Sequence, residues 1–216
     1  MGDHIRKINT VLLPAILIGL PIFFYATGDF PRRTLLKESI SILSILAFCM
    51  MVAQFFLARS NNNMLSGLKL GNVIKIHTFI GYIFTAVLLV HPLLIVIPRY
   101  FEAGVDSMDA LFTIITTFSS RGVVLGIISW CLMFILAVTS LLRNKLPLTY
   151  KKWRISHGIL AIFVVTTASW HAIDLGRHTD QPLSCYIIVL AVSGVLPLLK
   201  SYVVQSSLIR KDFKNV

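Results

Sequence analysis

Six long runs of apolar residues alternate with short polar segments along the 216-residue chain. Each run approaches the roughly 20 residues that a helix needs to cross the hydrocarbon core of a bilayer. The polar segments between the runs carry the charges and the Gly, Pro and Asn residues typical of turns. The pattern therefore predicts an all-α integral membrane protein, a bundle of six transmembrane helices. The predicted spans cover residues 8–27, 38–58, 72–98, 122–142, 152–174 and 182–202.

The composition agrees with a lipid environment. Hydrophobic residues make up 56% of the chain and charged residues only 13%, and the mean hydropathy is +0.81. Soluble domains carry about a quarter charged residues, so this deficit excludes an ordinary soluble protein. The net charge of +11 does not indicate nucleic-acid binding, because the basic residues lie at the ends of apolar runs. Residues 1–216 are predicted to form one membrane domain, with residues 99–121 lying along the interface.

The distribution of charge predicts the orientation of the spans. Of the 20 lysines and arginines, 14 lie in the N-terminus, the second and fourth loops and the C-terminus, whereas seven of the nine acidic residues lie on the opposite side. Basic residues concentrate on the cytoplasmic side of a membrane protein. Both termini are therefore expected to be cytoplasmic, in a multi-pass protein of the inner or plasma membrane.

Four of the six histidines lie within two predicted spans and share one spacing. His77 and His91 are 14 residues apart in the third span, and His157 and His171 are 14 residues apart in the fifth. Fourteen residues make about 3.9 helical turns and about 21 Å of rise, so each pair shares a helix face within a core of about 30 Å. Both spans start on the cytoplasmic side, which puts His77 level with His157 and His91 level with His171.

Facing imidazoles at two membrane depths are suited to binding two haem irons. Neutral imidazole is a good iron ligand, and the cores of helix bundles hold such cofactors. We predict two b-type haems between the third and fifth spans, the inner iron bound by His77 and His157 and the outer iron by His91 and His171. Intramembrane histidines also serve as proton relays, so a haem-free transporter or proton-relay protein is the alternative. The scarcity of other ionisable groups inside the spans argues against it.

Further residues lie at the same levels. Phe84 is seven residues from both His77 and His91 and could fill the space between two haems, or belong to the apolar core. Arg154 near the inner level and Arg121 near the outer level could pair haem propionates, although the positive-inside rule also explains such charges.

Two glycines and the two remaining histidines complete the candidates. Gly81 and Gly158 would let a flat macrocycle approach the backbone, or let two helices cross closely. His4 and His178 fall in polar segments and are expected to be exposed to solvent.

The sequences around the four membrane histidines are distinctive. They read HTFIGY at 77–82 and VHPLL at 90–94, then WRISHG at 153–158 and WH at 170–171. In these stretches the chain resembles the ferric reductase-like transmembrane domain family. That family includes iron-chelate reductases, NADPH oxidases and the haem-binding membrane subunit of a bacterial periplasmic methionine sulfoxide reductase system.

The resemblance implies bis-histidine b-type haems and electron flow from the inner to the outer face, as in a component of an oxidoreductase. The chain has no Gly-rich dinucleotide fingerprint and ends soon after the sixth span, so we expect a separate electron donor. Candidate donors are a flavin reductase, reduced flavin or quinol, and FMN or a quinone is a candidate further cofactor at one face. Expected acceptors are a ferric chelate, oxygen or a periplasmic redox partner.

Overall fold

The structure is a computed structural model that describes residues 12, 14–31, 33–58, 70–101 and 106–212. Within these ranges the chain is all-helical, with seven α-helices and no strand. A π-helical turn (Ala15–Gly19) leads into α1, and 3-10 turns follow α3 (Ile97–Phe101) and α5 (Arg143–Lys145). The helices are α1 (Leu20–Thr27), α2 (Leu35–Ala53), α3 (Leu70–Val96), α4 (Ser107–Thr116), α5 (Arg121–Leu141), α6 (Tyr150–Leu175) and α7 (Gln181–Asp212).

Five of these helices are long and apolar enough to cross a membrane: α2, α3, α5, α6 and the first 22 residues of α7. They confirm the second to sixth predicted spans and identify an integral, multi-pass membrane protein. In the first predicted span, the helical stretch Ala15–Thr27 is too short to count as a span by itself. Residues 8–11 and 13 of that span lie outside the described ranges, so the first span stays a prediction.

The helix starts carry the caps that their sequences favour. Thr149 accepts a hydrogen bond from the Lys152 amide before α6, and Ser120 accepts one from the Val123 amide before α5. The segment 99–121, predicted only to lie along the interface, contains the short helix α4. Asp106 caps α4 by accepting from the amides of Met108 and Asp109 at 2.7 and 3.2 Å. Polar caps therefore end the loops at the membrane surface.

The helices pack in two closely joined pairs, α2 with α3 and α5 with α6, while α3 also contacts α5 and α7 contacts α2 and α6. Among the described residues, backbone contact between α3 and α6 is slight. Side chains bridge them instead: Phe84 and Leu88 of α3 join an apolar cluster with Leu160 and Val164 of α6. The backbones of the two histidine-bearing helices are therefore separated, and α2 packs against α3 while α5 packs against α6.

The main apolar core lies between α2, α6 and α7. Its fully buried side chains include Cys49 and Val52 of α2 and Leu183 of α7. Large apolar side chains elsewhere are exposed, as expected for a surface that faces lipid tails, Phe79 on α3 and Phe163 on α6 among them. The most exposed spanning helix is α3, so its few inward-facing groups stand out.

Candidate functional site

The structure brings the four membrane histidines together in twos. His157 lies close enough to His77 for their charges to interact, and His91 stands in the same relation to His171. The matching of first with first and second with second means that α3 and α6 run in the same direction. All four side chains are partly buried. In the described part of the chain, no three His, Cys, Asp or Glu side chains are grouped as a metal site, so the histidines meet only as pairs.

The imidazole of His171 is held by the start of α5. Its Nδ1 lies 2.8 Å from the carbonyl oxygen of Gly122. A carbonyl only accepts hydrogen bonds, so His171 Nδ1 must carry the proton and donate it. One turn further along α5, a Cβ on Gly126 would lie 2.5 Å from the same Nδ1. The Gly122 carbonyl and the space left by the missing side chain of Gly126 therefore form a notch that holds the ring.

His91 and His157 each meet a serine from a neighbouring helix. His91 Nδ1 lies 3.0 Å from Ser44 Oγ on α2, and His157 Nδ1 lies 3.2 Å from Ser140 Oγ on α5. The carbonyl four residues earlier in the same helix lies 2.8 Å from Ser44 Oγ and 2.7 Å from Ser140 Oγ, so it can take the hydroxyl proton. Each serine oxygen is then able to accept a hydrogen bond from Nδ1 of its histidine.

His171 therefore carries its proton on Nδ1, and the contacts of His91 and His157 are compatible with the same tautomer. In a neutral imidazole of this kind the Nε2 lone pair is available to a ligand. No hydrogen bond engages Nε2 of His91, His157 or His171 among the described residues. A metal-bound histidine almost always donates its other N–H to a neighbouring acceptor, which orients the ring. His91, His157 and His171 each have such an oxygen next to Nδ1.

His77 differs from the other three. Its Nδ1 is buried and makes no hydrogen bond with good geometry, although the backbone of Gln54 lies nearby. The side-chain oxygen of Gln54 is also buried without a partner, 3.7 Å from where a Cβ on Gly81 would stand. Two unsatisfied polar atoms thus lie on the facing surfaces of α2 and α3. Buried polar atoms without partners are uncommon and often occur at functional sites.

The other predicted residues lie near the two pairs without touching the imidazoles. Phe84, midway along α3, packs against both apolar clusters and so lies in the layer between the pairs. Arg154 lies near the start of α6, three residues before His157, and its carbonyl oxygen lies 3.5 Å from Tyr202 Oη. Arg121 is exposed as the first residue of α5, next to Gly122. No interaction between either arginine and a histidine is found among the described residues.

The two glycines have different surroundings. Gly158 is buried against Tyr202 of α7, whose hydroxyl would overlap a Cβ at this position, so it serves a close helix crossing. At Gly81 a Cβ would meet only Gln54, at an ordinary contact distance. The space beside His77 is therefore open, whereas the space beside His157 at Gly158 is filled by α7.

An aromatic group adjoins His157 near the start of α6. The Trp153 ring lies 5.0 Å from the His157 ring, and its indole N–H donates to the Thr139 carbonyl of α5 at 3.2 Å. The Arg143 guanidinium lies 5.3 Å above the Trp153 ring and 5.7 Å above that of Tyr150. These contacts fix the ends of α5 and α6 around His157.

The expectation that His178 is exposed is wrong. It is 6% exposed, because the loop between α6 and α7 folds over the loop before α2. Arg33 Nη2 lies 3.1 Å from His178 Nε2, Arg33 Nε lies 2.9 Å from Glu38 Oε1, and Tyr25 donates to Glu38 Oε2. Burial, helped by Arg33 and Arg177 and opposed by Glu38, lowers the pKa of His178. His4 lies outside the described residues.

Sequence reasoning missed the residues that hold the imidazoles from behind: Ser44, Ser140, Gly122 and Gly126. The serines carried a faint signal, since each is a hydroxyl residue inside an otherwise apolar span. The glycines carried another, since their spacing of four puts them on one helix face. Neither signal names its histidine, because that depends on how the helices pack.

Comparison with known proteins places the chain in a family. The model of the family described as "Ferric reductase like transmembrane component" matches residues 43–168, so the chain belongs to that family. The matched segment contains His77, His91 and His157 and ends three residues before His171. The chain is also 40% identical over 161 residues to an uncharacterized protein of Archaeoglobus fulgidus, covering 74% of this chain and 87% of that one. No solved structure matches significantly. Membership indicates electron transfer across a membrane.

Proposed function

We propose that this member of the ferric reductase-like family is a di-haem b-type cytochrome that carries electrons from one face of the membrane to the other. His77 and His157 would hold one haem iron, and His91 and His171 the other. The observation that carries the proposal is that three imidazoles have Nδ1 within hydrogen-bond distance of an oxygen on α2 or α5, an arrangement that leaves Nε2 as the ligand atom.

The donor set fits the proposed group. A six-coordinate haem takes one neutral imidazole on each side of its iron, and the histidines meet in twos. The slight backbone contact between α3 and α6 is compatible with a flat group between them. When bound, each haem would supply a one-electron redox centre, while the chain supplies ligands, orientation and an apolar surrounding.

Other residues support the arrangement. The pairs are separated by 14 residues of α3, about 21 Å of rise within a hydrocarbon core of about 30 Å. Phe84 would separate the two centres and keep water out of the layer between them. Arg154 and Arg121, each close in sequence or space to one pair, would face the haem propionates.

The direction and the partners follow from the sequence. With both termini in the cytoplasm, the His77 pair lies near the cytoplasmic face and the His91 pair near the outer face of the inner or plasma membrane. The proposed donor is a separate flavin reductase, reduced flavin or quinol, with FMN or a quinone bound at one face. The proposed acceptor is a ferric chelate or a periplasmic redox partner, which would make the chain an oxidoreductase component.

The first test is spectroscopic. Protein purified from cells with ample haem is expected to give a b-type reduced-minus-oxidised spectrum and about two haems per chain by pyridine haemochrome. His77→Ala and His171→Ala should each lose one haem, and the double variant both. His178→Gln, which changes a histidine outside the pairs, should keep two.

Two results would overturn the proposal. Wild-type protein without haem, or single variants that retain both haems, would show that the histidines are not iron ligands. Proton flux measured in liposomes on the same histidine variants would then test the proton-relay alternative.

A further inference from the structure

The hydrogen bonds behind the four imidazoles are unequal. In the His91–His171 pair the Nδ1 atoms lie 3.0 and 2.8 Å from their acceptors. In the other pair, His157 Nδ1 lies 3.2 Å from its acceptor, and His77 Nδ1 has no bond of good geometry. One pair is therefore held at both imidazoles and the other at only one.

These bonds bear on the chemistry of any iron that the histidines bind. An imidazole that donates strongly from Nδ1 is a more basic ligand and favours the oxidised metal, which lowers its reduction potential. The bonds are partly buried, in surroundings of low dielectric where hydrogen bonds are electrostatically stronger than in water. Both serines are able to act as acceptors because a carbonyl of the same helix is in place to take each hydroxyl proton.

We infer that Ser44 and Ser140 are positioning residues. Ser44 sets the tautomer, orientation and basicity of His91, and Ser140 does the same for His157. The inference rests on the proposed function. It also ranks the two centres: the haem of His91 and His171 would have the lower midpoint potential, because both of its ligands have an acceptor within 3.0 Å of Nδ1.

The test measures haem content and midpoint potentials by spectroelectrochemical titration of purified Ser44→Ala and Ser140→Ala. Loss of a bond of this kind changes metal affinity by about tenfold or more. A tenfold preference between oxidation states corresponds to about 59 mV for one electron. Ser44→Ala should raise the lower potential by about that amount and leave the other unchanged, and Ser140→Ala should raise only the higher one.

Matched variants separate the role of the hydroxyl from simple destabilisation. Ser44→Thr keeps the acceptor and should restore the wild-type potential. Ser193→Ala removes a hydroxyl on α7 whose one hydrogen bond among the described residues is to the Leu190 carbonyl of its own helix, and it should change neither potential. Repeating Ser44→Ala in a His77→Ala background leaves one centre and assigns the shift to the His91 pair.

A second readout does not need haem. In haem-free protein labelled with ¹⁵N-histidine, His91 should show a protonated Nδ1 in the wild type and a mixture of tautomers in Ser44→Ala. Wild-type protein with two haems but unshifted potentials in both serine variants would overturn this inference and leave the proposed function standing. Wild-type protein without haem would overturn both.

Discussion

The notch formed by Gly122 and Gly126 gives the sharpest single prediction. Replacing Gly126 by alanine adds one methyl group, 2.5 Å from Nδ1 and 2.7 Å from Cε1 of His171. Atoms at such distances overlap, so either the ring or the backbone of α5 must move. The ring resists, because its Nδ1 is bonded to the Gly122 carbonyl at 2.8 Å.

The size of the effect follows from these distances. Ordinary contact begins near 3.4 Å, so the ring must shift by about 0.9 Å from the new methyl group. Overpacking of this kind costs about 1–3 kcal/mol, and a lost hydrogen bond adds about 1 kcal/mol. Changes that misorient a metal ligand typically reduce metal affinity by about 10- to 100-fold. We therefore expect Gly126→Ala to weaken haem binding at the His91–His171 pair alone.

The assay is haem retention per chain in increasing concentrations of an apo-haem scavenger such as apomyoglobin. Gly126→Ala should lose one haem at lower scavenger concentrations than the wild type and keep the other. Gly71→Ala is the matched control, because a Cβ on this α3 glycine meets nothing within 4 Å. Equal retention of both haems in Gly126→Ala and wild type would refute the reasoning, as would equal loss from both sites.

Three further variants test other parts of the bundle. Phe84→Ala should lower the free energy of unfolding by about 2 kcal/mol, roughly half the loss for a fully buried Phe, because this side chain is half-buried. Both haems should remain bound, and loss of either would contradict a spacer role. Gly158→Val should overlap the Tyr202 hydroxyl and lower the free energy of unfolding by about 1–3 kcal/mol. Part of this loss should be recovered in a Tyr202→Ala background. An unfolding temperature of Gly158→Val equal to that of the wild type would argue against a close α6–α7 crossing at this position. Because burial holds the pKa of His178 below its ordinary value of 6.5, the unfolded chain takes up a proton there first as the pH falls. Stability should therefore decrease below about pH 6.5, and His178→Gln should remove that part of the decrease, whereas an unchanged pH profile would contradict it.

The spans could be predicted from sequence because lipid imposes one requirement, an apolar run of fixed length, on every helix that crosses it. Helix ends were less predictable where hydropathy and helix structure diverge. Residues 55–58 are apolar but lie in a turn after α2, where Phe55 and Phe56 are buried in the core. The helix α7 continues to Asp212, past the predicted end at 202, because no Gly or Pro stops it.

The candidate site divides in the same way. The 14-residue spacing fixes which residues of one helix share a face, so each helix alone predicts that its two histidines lie on one side. The acceptors behind them belong to other helices, and their identity depends on rotation and depth, which periodicity does not report. His178 shows the same limit in a loop: its burial comes from contacts with Arg33 and Phe30, distant in sequence.

The residues next to the imidazoles lie on different helices from the histidines themselves: the histidines are on α3 and α6, and their neighbours are on or beside α2 and α5. Each histidine pair has one imidazole near α2 or its C-terminal cap and one near α5: Ser44 of α2 and Gly122 of α5 adjoin one pair, while Gln54, the residue after α2, and Ser140 of α5 adjoin the other. On α5 the two supporting positions are 18 residues apart, about 27 Å, so this single helix reaches both levels. Because α2 and α5 carry none of the four histidines, we expect substitutions on them to act on one histidine pair at a time. Variation on α2 and α5 would therefore adjust the two pairs independently.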